Sequence, residues 1–426
     1  MGCNDDQFRI VIVGGGIAGL TAAIALRGPN RHITVLERSR MLHETGALIS
    51  LQPNASKLVT AWGLDPFLKS AQPLIDRGFR IFDKTGNVVS EVPLRTERFG
   101  ADRVLYHRQD LHAALRDAAT STTLAGEPVH IRTAAGVVSC LPEEGIVILK
   151  DGEQVQGDLV VGADGIKSVI RSAVLGAEDA PKHPPIPTGL SAYRVLMPLS
   201  LLQNIPNLPP SVTKWDPAIT SMVMGGDRRV IMGPGRGGDL YGLVALVPDA
   251  TADKQDDSDD NSWVRPGSKK ELQAAYEGFP QWLLDLFGTA PDADIGLWQL
   301  RDIDPLPRWS RGRTIVIGDA AHAMLPTQGQ GASQSMEDAE ALAAFLEGVT
   351  GRPSEKNVTD ALQKVWDARF ERVSLIQAYS RQQAKPATEA GSNTVTLNPG
   401  EFLAYNCDYN GAVDWLARQK AKEAKA

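Results

Sequence analysis

What most constrains this chain is an apolar, β-branched run near its start, Phe8 to Val13, that stops abruptly at Gly14-Gly15-Gly16. A run of that kind reads as a buried parallel strand. Ile17 to Leu26 then has helical composition, Gly28-Pro29-Asn30 stops it, and His32 to Leu36 reads as a second strand ending at Glu37. Gly14, Gly16 and Gly19 fall at G-x-G-x-x-G spacing between strand and helix. Gly14 permits the tight turn, Gly16 lets backbone approach a pyrophosphate, and Gly19 permits close helix–strand packing. The helix N-terminus offers free N–H groups and a positive dipole end to phosphates, and Glu37 is placed to accept ribose hydroxyls. The glycine spacing alone marks only a tight strand–helix turn. With strand, helix and acidic residue all in place it reads as a dinucleotide-binding unit, with Ala18 and Arg38 as further contacts.

Two more apolar runs end in similar turns: Leu159 to Val161 before Gly162-Ala163-Asp164-Gly165, and Thr314 to Ile317 before Gly318-Asp319. Between them, Gly189–Leu196, Ala218–Met224, Arg229–Met232 and Leu240–Val247 read as strands separated by Gly and Pro turns. The expected organisation is a cofactor domain over 1–180 with a small excursion near 77–100, a sheet-rich substrate domain over 181–298, a return to the cofactor domain over 299–350, and a helical region over 351–426. The acidic stretch Ala250–Asn261 is expected to be a mobile surface loop, and the Lys/Ala-rich tail from Lys420 to be frayed.

The formal net charge of −7, with no long basic block, argues against a nucleic-acid partner. Cys3, Cys140 and Cys407 are too scattered for a disulfide framework or a zinc site, so no metal is expected and a reducing, cytoplasmic compartment fits. No run approaches the roughly 18 apolar residues of a membrane span. The Gly2-Cys3 start resembles an acylation signal, but Asp6 stands where that pattern wants Ser or Thr.

Asp158-Leu159-Val160-Val161-Gly162-Ala163-Asp164-Gly165, followed by Ser168 and Arg171, resembles the second motif of the FAD-dependent aromatic hydroxylases, the group A flavoprotein monooxygenases. Gly318-Asp319-Ala320-Ala321-His322, then Pro326 and Gly329-Gln330-Gly331-Ala332, resembles their third. His107-Arg108-Gln109-Asp110-Leu111 matches a family stretch whose Arg lies near the FAD. Over nearly its whole length the chain is similar to the salicylate hydroxylase-like branch. The resemblance implies an α/β fold: a Rossmann-type FAD-binding domain with an inserted β-sheet substrate domain and C-terminal helices. It also implies FAD as cofactor, NADH or NADPH as co-substrate, and O2. The reaction implied is hydroxylation or epoxidation of an electron-rich aromatic or related ring, indole types included, through a flavin hydroperoxide, in secondary metabolism. No second glycine-rich motif is visible, so the nicotinamide is expected to bind transiently, and the enzyme to be a monomer or homodimer.

Within that frame, Asp319 can bind ribityl hydroxyls from a strand end, while Gly329 and Gly331 let backbone pass close to a flat ring. Met336, Ala339, Leu342, Ala343 and Leu346 recur at helical spacing, and the N-terminus of their helix would face the flavin N1–C2 carbonyl. The resemblance gives the segment from Asp158 to Arg171 a dual role at flavin and nicotinamide and makes Asp164 a cofactor-binding candidate, but an Asx-type bond holding its own turn competes with that role. His322 reads as positional rather than proton-transferring. Tyr193-Arg194 resembles the aromatic–Arg pair that opens the family's substrate sheet, and makes Arg194 the first catalytic candidate. Its guanidinium could anchor a carboxylate or phenolate, or else be a sheet-surface Arg in a salt bridge. Tyr241 is the second candidate, with plain core packing as its alternative. His43 and Gly46-Ala47 lie in a loop that the family places near the isoalloxazine. A flavin halogenase would carry G-W-x-W-x-I-P, which is absent. A flavin-dependent reductase or dehydrogenase without productive oxygen insertion, and a non-catalytic flavin-binding protein, stay open on sequence alone.

Overall fold

The structure, a computed structural model, describes residues 6–40, 47–249, 263–349, 351–384 and 395–423. The acidic stretch Ala250–Asn261, the Gly2-Cys3 start, His43 and Gly46 lie outside the described residues.

One sheet has six strands, in the order Ser310–Arg311, Thr314–Val316, Leu159–Gly162, Phe8–Val13, Arg31–Leu36, His130–Arg132. The three apolar runs of the sequence are neighbours in it and run parallel. Their register aligns Val13 with Gly162 and Gly162 with Val316. The turns at Gly14, Ala163-Asp164 and Gly318-Asp319 therefore leave the sheet at one level, the carboxyl edge where open α/β sheets bind ligands. The helices Ile17–Ala25, Arg108–Thr120 and Gly331–Phe345 contribute to the surrounding core through Leu20, Leu115 and Leu342, all wholly buried.

The second sheet has ten strands. Its path runs Val264–Pro266, Gly296–Asp302, Ile186–Pro198, Leu240–Pro248, Arg229–Gly235, Ala218–Met224, Leu74–Phe82, Arg103–His107, Leu48–Leu51, with Val88–Pro93 paired to Leu74–Phe82. It thus draws on both the expected insertion and the earlier part of the chain. Strand alternation gives it two distinct faces. On one, Tyr193, Val195, Tyr241 and Leu243 pack with Tyr276, Leu283 and Phe287 of a helical layer. On the other, Ala192, Leu246 and Leu300 pack against Leu325, which leads into the glycine loop at Pro326. That second face looks toward the dinucleotide-binding half.

Beyond residue 350 the described chain is largely helical, with helices Glu355–Ala384, Pro399–Cys407 and Ala412–Glu423. Regular helix continues past Lys420, where fraying was expected.

Candidate cofactor and substrate site

The glycines of the first turn divide by what surrounds them. A Cβ added at Gly14 would lie 2.3 Å from the Ala163 carbonyl oxygen, and one at Gly19 would lie 1.9 Å from that of Gly14. At Gly16 and Gly331 it would meet nothing within 4 Å. Two glycines are thus required by packing, and two border open space at the N-termini of helices 17–25 and 331–345, neither of which has a side-chain cap. Such ends offer unpaired N–H groups to an anion. The Glu37 carboxylate accepts the N–H of Gly15 at 2.7 Å and of Ser39 at 2.7 Å. Burial pushes its pKa up, but these bonds outweigh it and hold the group below its ordinary value. Arg38 is exposed beside it.

Asp319 is exposed although Thr314–Gly318 before it and Ala320–Ala323 after it are buried. Desolvation by the surrounding protein nevertheless raises its carboxyl above the usual range, against the attraction of His322 and Arg108. The two observations agree for a carboxylate on the floor of a cleft, open to solvent but walled by protein. Pro326 is exposed at the start of the short turn Pro326–Gln328, which ends at Gly329 in the left-handed region (φ +61°) before Gly331 and Ala332 open their helix. Arg108 donates its backbone N–H to the Ala47 carbonyl at 2.9 Å. Its charge acts on both Asp319 of the cofactor turn and Arg194 of the substrate sheet.

Asp164 has its oxygens engaged at home. It accepts from Ser168 Oγ at 2.5 Å, Val169 N at 2.7 Å and Ile170 N at 3.2 Å, and burial raises its pKa. The carboxylate holds the start of helix Val169–Asp179, as the turn-holding alternative describes, and its contacts give no support to a side-chain role at flavin or nicotinamide. His322 is buried with Nε2 2.6 Å from Asp338 Oδ2, a positional arrangement.

On the substrate sheet, Arg194 lies on the cleft side with Ala192. Its guanidinium carbon sits 4.9 Å from the Trp298 ring centre, and among the described residues no carboxylate pairs with it. The salt-bridge alternative is therefore not realised there. Burial, with the charge of Arg108, lowers its pKa. Tyr241 requires a correction. It pairs with Met197 and is 1% exposed within the opposite face of the sheet, and burial raises the pKa of its hydroxyl. The cleft side of its strand carries Gly242, Val244 and Leu246 instead. Tyr193 also turns to the helical layer, so only the Arg of the Tyr193-Arg194 pair faces the cleft. Gly242 lies across from Gly233 and under Leu48, whose Cγ would be 2.6 Å from an added Cβ. The strand after Ala47 thereby rests on a glycine floor.

Two features were missed from sequence. Trp298, paired with Ala192, supplies the aromatic face under Arg194; alternation along its strand was the available signal. Asp338 and Glu337 form a wholly buried ionic cluster with Arg369 and Arg372. Arg369 donates to Asp338 at 3.0 Å and pairs with Glu337, while Arg372 bonds Glu337 at 2.7 and 2.8 Å and the carbonyls of Tyr405 and Asn406 at 2.7 and 2.8 Å. The adjacent acidic pair Glu337-Asp338 between the apolar positions Met336 and Ala339 was the hint.

Three aligned turns, two uncapped helix ends bordering open space and an acidic floor fit the phosphates and ribityl chain of FAD, and they define an FAD-binding oxidoreductase. Residues 12–47 match the NAD(P)-binding Rossmann-like domain family and residues 296–360 the FAD binding domain family. The chain is 33% identical over 376 residues to the FAD-dependent monooxygenase atnJ of Arthrinium sp, covering 87% of this chain and 82% of that one. It is 32% identical over 428 residues to 3-hydroxybenzoate 6-hydroxylase 1 of Aquipseudomonas alcaligenes, covering 97% and 98%. A solved salicylate hydroxylase substrate complex superposes with a TM-score of 0.77 at 25% identity, covering 97% and 98%. The chain belongs to the FAD-dependent monooxygenase family that includes the aromatic hydroxylases. It is an NAD(P)H- and FAD-dependent monooxygenase. Among the described residues no helix is long and apolar enough to cross a membrane, and no group of His, Cys, Asp and Glu is placed to hold a metal.

Proposed function

We propose that this enzyme hydroxylates or epoxidises an electron-rich aromatic or related ring, phenolic acids first and indole types included, and that Arg194 anchors an anionic or incipiently anionic oxygen of the substrate. The observation that carries this reading is a partly buried cation on the cleft face, stacked on Trp298 and lacking a carboxylate partner among the described residues. Such a group is poised to take its counter-charge from a ligand. The relatives named for 3-hydroxybenzoate and salicylate act on aromatic carboxylates, which support that chemistry.

In this reading Gly14, Gly16, Ala18, Gly19, Glu37 and Arg38 hold the adenosine and pyrophosphate end of FAD. Asp319 and the loop of Pro326, Gly329, Gly331 and Ala332 hold the ribityl and ring end, with Arg108 and Ala47 beside the ring. When bound, FAD supplies electron transfer from NAD(P)H and activation of O2. The chain orients the substrate and keeps water from it with the apolar cleft side of the ten-stranded sheet. We divide the chain into FAD-binding parts over 1–180 and 299–350, a substrate region over 181–298 whose sheet is completed by strands from 48–107 and by Gly296–Asp302, and a helical region over 351–426. A cytoplasmic monomer or homodimer suits the buried free thiols Cys140 and Cys407.

Arg194→Lys keeps the charge without the fork, and Arg194→Ala removes both. Both should retain FAD and be reduced by NAD(P)H while product formation falls roughly a hundred- to a thousandfold and peroxide release rises. Loss of flavin, or parental product yield without extra peroxide, would show that the substrate is anchored elsewhere.

A further inference from the structure

Gly318 and His322 bracket the cofactor-facing turn, a single helical turn over Asp319–His322. One carboxylate oxygen ties both ends: Asp338 Oδ2 accepts the Gly318 N–H at 2.9 Å and lies 2.6 Å from His322 Nε2. The other oxygen accepts Arg369 Nε at 3.0 Å, which links the turn to helix 355–384. Gly318 adopts φ +58° and ψ −142°, a conformation costly for any residue with a side chain. An added Cβ there would lie 2.8 Å from Ala18 Cβ and 3.0 Å from Ser335 Oγ, so the turn is wedged between the helix of the first glycine motif and helix 331–345. Asp338 is wholly buried and does not reach the cleft itself. It belongs to the helix whose open N-terminus, Gly331, borders the cleft, so one rigid element carries both the helix end and the tie on the turn.

We infer that Asp338 is a positioning residue for the cofactor: through Gly318 and His322 it fixes the direction in which Asp319 presents its carboxylate to FAD. This rests on the assignment of Asp319 to the ribityl chain. Glu337 provides the control, because it shares Arg369 with Asp338 but has no bond to the turn.

The test titrates the apoprotein with FAD and, separately, with ADP, which reaches only the Gly14–Glu37 end. Asp338→Asn should weaken FAD binding about ten- to a hundredfold while ADP affinity stays within about twofold. Glu337→Gln should lower the melting temperature yet leave FAD affinity within about threefold of the parent. The inference is overturned if Asp338→Asn binds FAD like the parent, if it loses FAD and ADP together, or if Glu337→Gln loses FAD equally. Should Asp338→Asn fail to fold, His322→Phe, which cuts one tie and leaves the Arg369 bond intact, decides by the same titrations. Parental FAD affinity in Asp319→Ala would sink the underlying assignment, whereas loss in Asp319→Ala with none in Asp338→Asn sinks this inference alone.

Discussion

At the scale of single residues, the site is built from groups whose neighbours leave them something to do. Asp319 is exposed between buried neighbours, and the surrounding protein raises its carboxyl against the opposing pull of His322 and Arg108. A hydrogen bond to a charged group is worth about 1.5–3 kcal/mol, so Asp319→Ala should raise the dissociation constant for FAD roughly ten- to a hundred-and-sixtyfold. Fluorescence titration of the apoprotein measures this, and unchanged affinity would contradict the assignment. Tyr241 makes the opposite case, because its ring fills the core on the far side of the sheet. Tyr241→Phe should turn over within about twofold of the parent, while Tyr241→Ala should lose about 3–5 kcal/mol of stability in urea denaturation. A selective loss of product yield in Tyr241→Phe would restore it to the site. Sequence offered Arg194 through the resemblance of Tyr193-Arg194 to the family's aromatic–Arg pair, and Tyr241 only as a strand tyrosine with core packing as its alternative. Which face each takes depends on the pairing of Tyr241 with Met197 and Arg194 with Val244, a register that no local pattern states.

At the scale of elements, helix 331–345 couples two regions, since it contributes to the cleft at one end and to a buried ionic cluster along its side. Glu337, Asp338, Arg369 and Arg372 are all 0% exposed, and removing one partner leaves a buried charge uncompensated. Arg372→Met should therefore cost about 3–5 kcal/mol in denaturant unfolding, and a loss under about 1 kcal/mol would contradict the cluster. Burial pushes the Asp338 carboxyl up, but His322 and Arg369 draw it down from 3.8 to about 2. A depressed folded-state pKa means that ionised Asp338 stabilises the fold above about pH 4, and that this contribution, about 2 kcal/mol, is lost as pH falls from about 4 to about 2. Stability measured across that window should flatten in Asp338→Asn, and an unchanged acid limb would count against the pairing. The glycine turns were legible beforehand because their function depends on contiguous backbone. The cluster was not, because Arg369 and Arg372 lie on a different helix from Glu337 and Asp338, and only long-range packing brings the two helices together.

At the scale of the whole molecule, the proposed site lies where the carboxyl edge of the six-stranded sheet approaches the cleft face of the ten-stranded one. Motifs at Gly14, Asp164 and Asp319 announced the first sheet, because each marks the end of its own strand. The second was only partly legible. The strands Leu48–Leu51, Leu74–Phe82 and Arg103–His107 join it from far upstream, and only long-range pairing, such as Ala218 beside Asp76, reveals that they do. No His or Cys matches a flavin attachment motif, so unfolding should release intact FAD, and flavin remaining with the precipitate would contradict non-covalent binding. The most direct test of the account is to supply NAD(P)H, a phenolic acid and isotopically labelled dioxygen, and to follow the label. The account predicts substrate-stimulated NAD(P)H oxidation, with one labelled oxygen atom entering the ring product for each NAD(P)H coupled to turnover. Reducing equivalents consumed across phenolic acids, phenols and indoles with every oxygen appearing as peroxide or water, and none in the product, would contradict it.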